Sequence, residues 1–306
     1  MPQQLTSIRT LCFLVVVSQF AWPALAGGDF ATAAEAYRRG EYTTALNEWK
    51  LLARSQNPRA QYNLGLLFEE GQGVPRDLSR AAKWYRKAAH LGDLRAQQRL
   101  ALMYANGEGV KQSDVRSVNW HRRAGEHGYA AAQFSLGTMF AAGRGVQYDD
   151  AKAIEWYLAA AAQDYAPAMN NLGWMYANGR GVEKDTTAAF EWYARAAELG
   201  DPKGQLNLGV MFMGGRGVEK DEEQAALWFR LAAEQGDPHA QNNIAYLYYK
   251  GRGVPRDLVY AFMWFDFAAG QGSESAQQMR DWLAEQMTEE QTVRAKRLAN
   301  EWRPGS

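Results

Sequence analysis

Ala168-Met169-Asn170-Asn171-Leu172-Gly173-Trp174-Met175-Tyr176-Ala177-Asn178-Gly179 is the stretch that decides the fold of this chain. Ala168, Leu172, Met175 and Tyr176 recur at spacings of four and three, which places them on one face of an α-helix. Gly179 stands where a left-handed C-cap is expected, because a residue without Cβ enters that conformation at no steric cost. Gly173 follows Leu172, and its column at multiples of 36 residues holds only small residues: Gly65, Ala101, Gly137, Gly209 and Ala245. That restriction predicts a second helix passing close by.

The same period runs outward in both directions. A Gly-x-Gly-Val motif begins at Gly71, Gly107, Gly143, Gly179, Gly215 and Gly251, always 36 residues apart. Trp84, Trp120, Trp156, Trp192, Trp228 and Trp264 keep that interval, each 13 residues after its glycine. Two independent columns with six matches each establish an internal repeat over residues 58–273. A second helix is predicted to start at Asp77, Ser113, Asp149, Asp185, Asp221 and Asp257, all good N-cap residue types. In Ala189-Phe190-Glu191-Trp192-Tyr193-Ala194-Arg195-Ala196-Ala197, the positions Ala189, Trp192 and Ala196 fall at three and four. The indole is therefore expected on the packing side, and its truncation to Ala is expected to cost roughly 3–5 kcal/mol. Gly92, Gly128, Gly200, Gly236 and Gly272 close the second helices, with Asp164-Tyr165 replacing the glycine in one unit.

The ends depart from the repeat, as the polar caps of a solenoid must. Residues 27–57 read as a shorter capping unit built on Gly40-Glu41-Tyr42, Ala45 and Trp49. Residues 274–306 read as capping helices, the first with Ala276, Met279, Leu283 and Met287 on one face. Thr288-Glu289-Glu290-Gln291 has the capping-box pattern of a last helix, with Val293, Leu298 and Trp302 on its apolar side and Pro304-Gly305 stopping it. The expected fold is all-α: a solenoid of six helix-turn-helix repeats between capping helices. The unit at 94–129 departs furthest, with Arg99, Ser117 and His121 where the others mostly carry Asn, Ala and Tyr. It is expected to be the least stable.

Composition bounds the function. The 306 residues hold 34 basic and 34 acidic side chains, so no net field draws nucleic acid or anionic lipid. A mean hydropathy of -0.47 excludes a polytopic membrane protein, and 11 tryptophans exclude a disordered chain. The single cysteine, Cys12, excludes a disulfide framework and a cysteine zinc site. Arg9, the apolar run 11–17, Pro23 and the small-x-small Ala24-Leu25-Ala26 predict a secretory signal at residues 1–26, too short to span a bilayer. Cleavage after Ala26 would leave a cysteine-free chain from Gly27, periplasmic or secreted, with no stable membrane insertion.

Catalytic patterns are missing. The glycine loops lack a Gly-Lys dipeptide and run into an aspartate that would repel phosphate, so they are read as structural turns. His90, His121, His127 and His239 form no HExxH or Cys/His cluster, and no metal or cofactor is expected. No Ser-x-x-Lys or Gly-x-Ser-x-Gly occurs. Glu222-Glu223 reads as a solvated helix start. Arg144, Arg180, Arg216 and Arg252 repeat at one loop position. Salt bridges to neighbouring acids are the favoured reading, and contact with an acidic polymer is the alternative. Asn63, Asn171, Asn207 and Asn243 are expected to hydrogen-bond backbone between repeats.

The unit Ala-x-x-x-Leu-Gly-x-Met-Tyr-x-x-Gly-x-Gly-Val-x-x-Asp, followed by Ala-x-x-Trp-Tyr-x-x-Ala-Ala, resembles the Sel-one-like repeat, a relative of the tetratricopeptide repeat of about 34 residues. The resemblance covers nearly all of the chain after residue 26. It implies a right-handed superhelix whose first helices line a concave groove. Such proteins generally act as adaptors, and exported bacterial ones often regulate envelope signalling or polysaccharide export. Cysteine-rich relatives linked to β-lactams carry a cysteine pair in each repeat, which this chain lacks.

The resemblance also places three groove columns. They are Tyr62, Gln98, Phe134, Asn170, Leu206 and Asn242; Leu66, Leu102, Thr138, Trp174, Val210 and Tyr246; and Glu69, Ala105, Ala141, Ala177, Met213 and Tyr249. Tyr62, Phe134, Asn170, Trp174, Met213, Asn242, Tyr246 and Tyr249 are the expected protein-binding residues. Phe134, Trp174, Met213, Tyr246 and Tyr249 are large apolar groups expected at exposed positions, and aromatics in a concave, desolvated setting are common hot spots. Packing between neighbouring first helices is the alternative. The expected function is an exported, non-enzymatic scaffold that holds a protein or peptide partner and assembles or regulates an envelope complex. The alternative partner is a glycan or cell-wall polysaccharide, which would stack on Trp174 and Tyr246 beside Asn170 and Asn242. A β-lactam-binding enzyme is a more distant third.

Overall fold

The computed structural model describes residues 29–302, so the expected signal at 1–26 and the stop at Pro304-Gly305 lie outside the described residues. Sixteen α-helices and no strand occur among the described residues. They run in pairs: α1 (Phe30–Arg38) with α2 (Tyr42–Arg54), α3 (Pro58–Glu70) with α4 (Leu78–His90), and α5 (Leu94–Asn106) with α6 (Asp114–Glu126). Next come α7 (Ala130–Ala142) with α8 (Asp150–Ala161), α9 (Ala166–Asn178) with α10 (Thr186–Glu198), and α11 (Pro202–Gly214) with α12 (Glu222–Glu234). The chain continues through α13 (Pro238–Lys250) with α14 (Leu258–Gly270), then α15 (Glu274–Gln286) and α16 (Glu289–Glu301). From α1 to α15 each helix packs chiefly on the helices before and after it, the nearest-neighbour pattern of an α-solenoid, while α16 folds back onto α14.

The caps form as the residue types dictate. Asp77, Ser113, Asp149, Asp185, Asp221 and Asp257 each accept a hydrogen bond from a backbone N–H of the first turn that would otherwise lack a partner. The first helices all end on a glycine in the left-handed region, from Gly71 to Gly251. The second glycine of each motif meets the preceding unit: Gly217 leaves no room for a Cβ against the Thr186 carbonyl. Where the second helices close at glycine, Asp164 and Gln56 take the left-handed conformation instead, with φ of 56° and 59°. Thr288 and Gln291 make the expected capping box. On α16 it is Ala295, Leu298 and Trp302 that pack, while Val293 is 61% exposed. Val293 was expected on the apolar side, but it lies about 140–160° round the helix from Leu298 and Ala295, which reach the core.

The core is organised around a ring different from the expected one. Tyr85, His121, Tyr157, Tyr193, Phe229 and Phe265 are buried, whereas every repeat tryptophan except Trp264 is only half-buried. The reason is the small column. A Cβ on Gly173 would sit 2.7 Å from the Tyr193 ring, and one on Gly209 2.7 Å from Phe229. The ring one position after the tryptophan therefore nests on the facing helix. The indole is pushed to the seam between units, where cations one turn on cover it: Lys87 over Trp84 at 4.3 Å, Arg123 over Trp120 and Arg195 over Trp192 at 4.9 Å.

A glutamine column carries much of the polar bonding between helices. Gln61, Gln97, Gln133, Gln205 and Gln241 are buried, and each donates its side-chain N–H to a backbone carbonyl at the end of the preceding second helix. The asparagines do not do this. Asn207 donates to the Asn170 side chain at 2.8 Å, and Asn63, Asn171 and Asn243 make no side-chain hydrogen bond among the described residues. An asparagine here is one turn-face away from the carbonyls that a glutamine, longer by a methylene and two positions earlier, can reach.

Candidate functional site

The three expected groove columns are not equally open. The middle one carries the solvent-facing residues: Thr138, Trp174, Val210 and Tyr246 are exposed, with Trp174 at 44% and Tyr246 at 41%. Its two flanking columns are half-buried or buried throughout. Phe134, expected to be exposed, packs on Tyr157 and Tyr165 with ring centroids 5.9 and 5.4 Å away. Tyr62 lies against Tyr85 under the Arg95 guanidinium, and burial raises its phenol pKa. Asn170, 9% exposed, is occupied by its bond from Asn207 and so does not stand free beside Trp174. Met213 and Tyr249, also expected to be exposed, are half-buried against the C-terminal core cluster.

Of the expected residues, Met213, Asn242 and Tyr246 come together, whereas Trp174 stands in a separate cluster of its own. Around Trp174, the Arg180 guanidinium lies 5.1 Å from the indole and is held in turn by Asp150 at 2.8 Å and by the Tyr148 hydroxyl at 2.9 Å. Asp150 and then Tyr148 raise the Arg180 pKa. The second cluster is a pocket of about 510 Å³ on the face of α11, α13 and α15. Val210, Met213, Asn242, Tyr246 and Met279 line it, with Arg216 and Arg252 at its edge. Arg252 bonds Glu222 at 2.6 Å and lies 3.4 Å from the Met213 sulfur. Arg252, then Lys220, holds the Glu222 carboxyl down to about 2.

Tyr249 stands beside this pocket and packs edge-on against Trp282 at 5.5 Å, while the Lys250 ammonium lies 4.4 Å from its ring. Trp282, 43% exposed on α15, extends the aromatic surface of Tyr246 and Tyr249. Sequence reasoning passed over it, because α15 was read only for its buried face of Ala276, Met279, Leu283 and Met287. An aromatic directly beside Leu283, about 100° round the helix from it, was the available signal. The arginine column behaves as the favoured reading expected at three of four positions, with Arg144 on Asp114, Arg180 on Asp150 and Arg252 on Glu222.

The arrangement offers recognition chemistry: apolar walls, aromatic edges and a few polar side chains with unused hydrogen-bonding capacity. His121 is buried and donates from Nδ1 to the Gln98 side chain at 2.8 Å, which occupies it structurally. No group of three or more His, Cys, Asp or Glu side chains is arranged to hold a metal among the described residues. No helix of the described residues is long and apolar enough to cross a membrane.

Comparison with known families matches the Sel1 repeat six times in succession, at residues 58–93, 94–129, 130–165, 166–201, 202–237 and 238–273. Among solved structures, a Sel1 repeat protein from Oxalobacter formigenes is 30% identical, with a TM-score of 0.73 over 79% of this chain and 96% of that one. A protective antigen of uropathogenic Escherichia coli with an SLR fold is 26% identical, covering 90% of this chain and 92% of its own, with a TM-score of 0.50. Among curated proteins, the DAP3-binding cell death enhancer 1 of Rattus norvegicus is 45% identical over 47 residues. That match spans 15% of this chain and only 9% of the relative's length.

Proposed function

Because the chain belongs to the Sel1 repeat family, whose members generally mediate protein–protein interaction, we propose that it is an exported, non-enzymatic adaptor holding a protein segment on its first-helix face. The observation that carries this reading is the apolar pocket of Val210, Met213, Tyr246 and Met279. It lies on the face where the column of Trp174 and Tyr246 is open to solvent. Preformed aromatic walls bind with little ordering cost on the receptor side, which favours a peptide segment as occupant. The adaptor would assemble or regulate a complex of the cell envelope. The signal-like residues 1–26 support that compartment.

Crosslinking capture from envelope extract, with residues 27–306 as bait, tests the reading. The control is Trp174→Ala combined with Tyr246→Ala. Phe134 is left intact because it packs on Tyr157 and Tyr165. A discrete protein captured by the wild type and lost from the double variant is the expected result. Identical captures would move the partner to another face, and no capture would remove the adaptor reading. N-terminal sequencing of the protein from the producing cell tests export separately. The expected start is Gly27, and an intact Met1 in a cytosolic fraction would overturn export.

A further inference from the structure

The loop arginines are held by a rule that fails once. Arg144, Arg180 and Arg252 each pair with the acid 30 residues earlier: Asp114, Asp150 and Glu222, all the first residue of a second helix. At Arg216 the corresponding first residue is Thr186. Arg216 has no carboxylate within ion-pair distance and no aromatic ring beneath it among the described residues. Its guanidinium is the one in the column left uncompensated.

A second departure coincides with the first. The helix position before each loop glycine carries Glu70, Asn106, Ala142, Asn178 and Lys250, but in this unit it is Gly214. A Cβ there would lie 3.3 Å from Arg216 Nε and 3.4 Å from its Cγ, so the arginine lies close along the bare end of its own helix. That path brings Arg216 to the pocket edge with Val210, Met213 and Tyr246. Asn242 and Asn243 also line the pocket, and neither makes a side-chain hydrogen bond among the described residues. Arg252, the other cation present, is already neutralised by Glu222.

We propose that this pocket recognises an acidic peptide segment whose Asp or Glu side chain supplies the carboxylate that Thr186 does not, with a neighbouring apolar side chain seated on Val210, Met213 and Tyr246. The proposal rests on the protein-binding reading above and names the chemistry of its partner. The ligand takes the place of an intramolecular ion pair that the other units make for themselves. A guanidinium meets a carboxylate through two parallel N–H donors, which adds direction to charge attraction, and the two asparagines can satisfy the peptide backbone alongside. Side-chain carboxylates are the committed source because the three filled positions all use them.

The test is selection on the wild-type protein from two hexapeptide libraries, one C-terminally amidated and one with free C-termini. The best peptide is then titrated against Thr186→Asp and Arg216→Gln. Thr186→Asp puts an acid at the first position of α10, where the helix dipole favours it, so its melting temperature should equal or exceed the wild-type value. Expected are enrichment of Asp or Glu beside an apolar residue and loss of about tenfold or more in affinity in both variants. Selected peptides without acid enrichment, or unchanged affinity in both variants, would overturn the proposal. If that happens while Trp174→Ala with Tyr246→Ala still abolishes binding, the adaptor reading stands without it. Binding seen only with free C-termini would assign the site to a chain terminus and also overturn it. Retention of no peptide from either library would remove the adaptor reading and this inference together.

Discussion

The Gln163 side-chain amide donates to the Gln133 side-chain oxygen at 2.8 Å, joining the end of one repeat to the start of the same repeat's first helix. Gln235 to Gln205 and Gln271 to Gln241 repeat the bond at the same separation of 30 residues. In the unit at 166–201 both ends change together, to Met169 and Leu199. In the two earliest repeats only one end is present. Leu91 and His127 stand where the donor would be, and the buried oxygens of Gln61 and Gln97 have no partner.

Leu91→Gln should therefore stabilise the protein. Leu91 is 43% exposed, so its removal forfeits little burial, while the new amide reaches an acceptor already desolvated. A buried bond of this kind contributes roughly 0.5–1.5 kcal/mol. The melting temperature should rise, and the rise should vanish in a Gln61→Met background. A rise that survives in that background would mean the gain came from elsewhere.

Tyr193 and Gly173 make the opposite kind of contact, one with no slack. Gly173→Ala places a methyl within 2.7 Å of the ring and should cost on the order of 1–3 kcal/mol through overpacking. Tyr193→Ala should cost about 3–5 kcal/mol as a large-to-small core change, and the half-buried Trp192→Ala clearly less. Urea denaturation of the three variants checks the order. If Trp192→Ala is the most damaging, the core is centred on the indole after all.

That ordering shows where sequence was sufficient and where it was not. The repeat, its caps and its left-handed glycines were legible because each is a local, periodic demand on one residue type. Trp192 and Tyr193 are adjacent aromatics 100° apart on one helix. Choosing between them required knowing how close α9 comes, and Gly173 announced the closeness without saying which ring filled it. The same limit applied at the groove. Phe134 and Trp174 belong to columns one turn apart, and only the spacing of successive first helices separates a packed ring from an open one. Arg216 was within reach of sequence, since its 30-residue counterpart is the sole Thr in a set otherwise filled by Asp114, Asp150 and Glu222 at the arginine units. The glutamine pairs carry the same signal, a 30-residue spacing between Gln133 and Gln163, Gln205 and Gln235, and Gln241 and Gln271.

The unit at 94–129 should open first. Ser117 is fully buried with only the Met139 sulfur at 4.0 Å, the Gln97 oxygen is unpartnered, and Gly125 replaces the alanine that other units place in the last turn of the second helix. Each removes packing or leaves a polar group desolvated. Native-state hydrogen exchange should show lower protection over residues 95–129 than over 167–235. Equal protection would mean that neighbouring repeats stabilise this unit enough to hide its defects.

His121 makes the same unit sensitive to acid. Burial pushes the imidazole pKa down to about 4 from an ordinary value of 6.5. The unfolded chain therefore binds this proton at a higher pH than the folded one. Stability from this group is intact above about pH 6.5, falls as the pH drops toward 4, and changes no further below it. The gap of between two and three pH units corresponds to about 3 kcal/mol. His121→Phe removes the titration, and Phe265 facing Ala245 in the last repeat shows that a six-membered ring can face an alanine like Ala101. Denaturant melts of both proteins between pH 7 and 4 should therefore diverge, the wild type losing more stability than the variant as acid is added. Parallel losses would show that the ring takes up its proton in the folded state, which would require water to reach a side chain that is only 2% exposed.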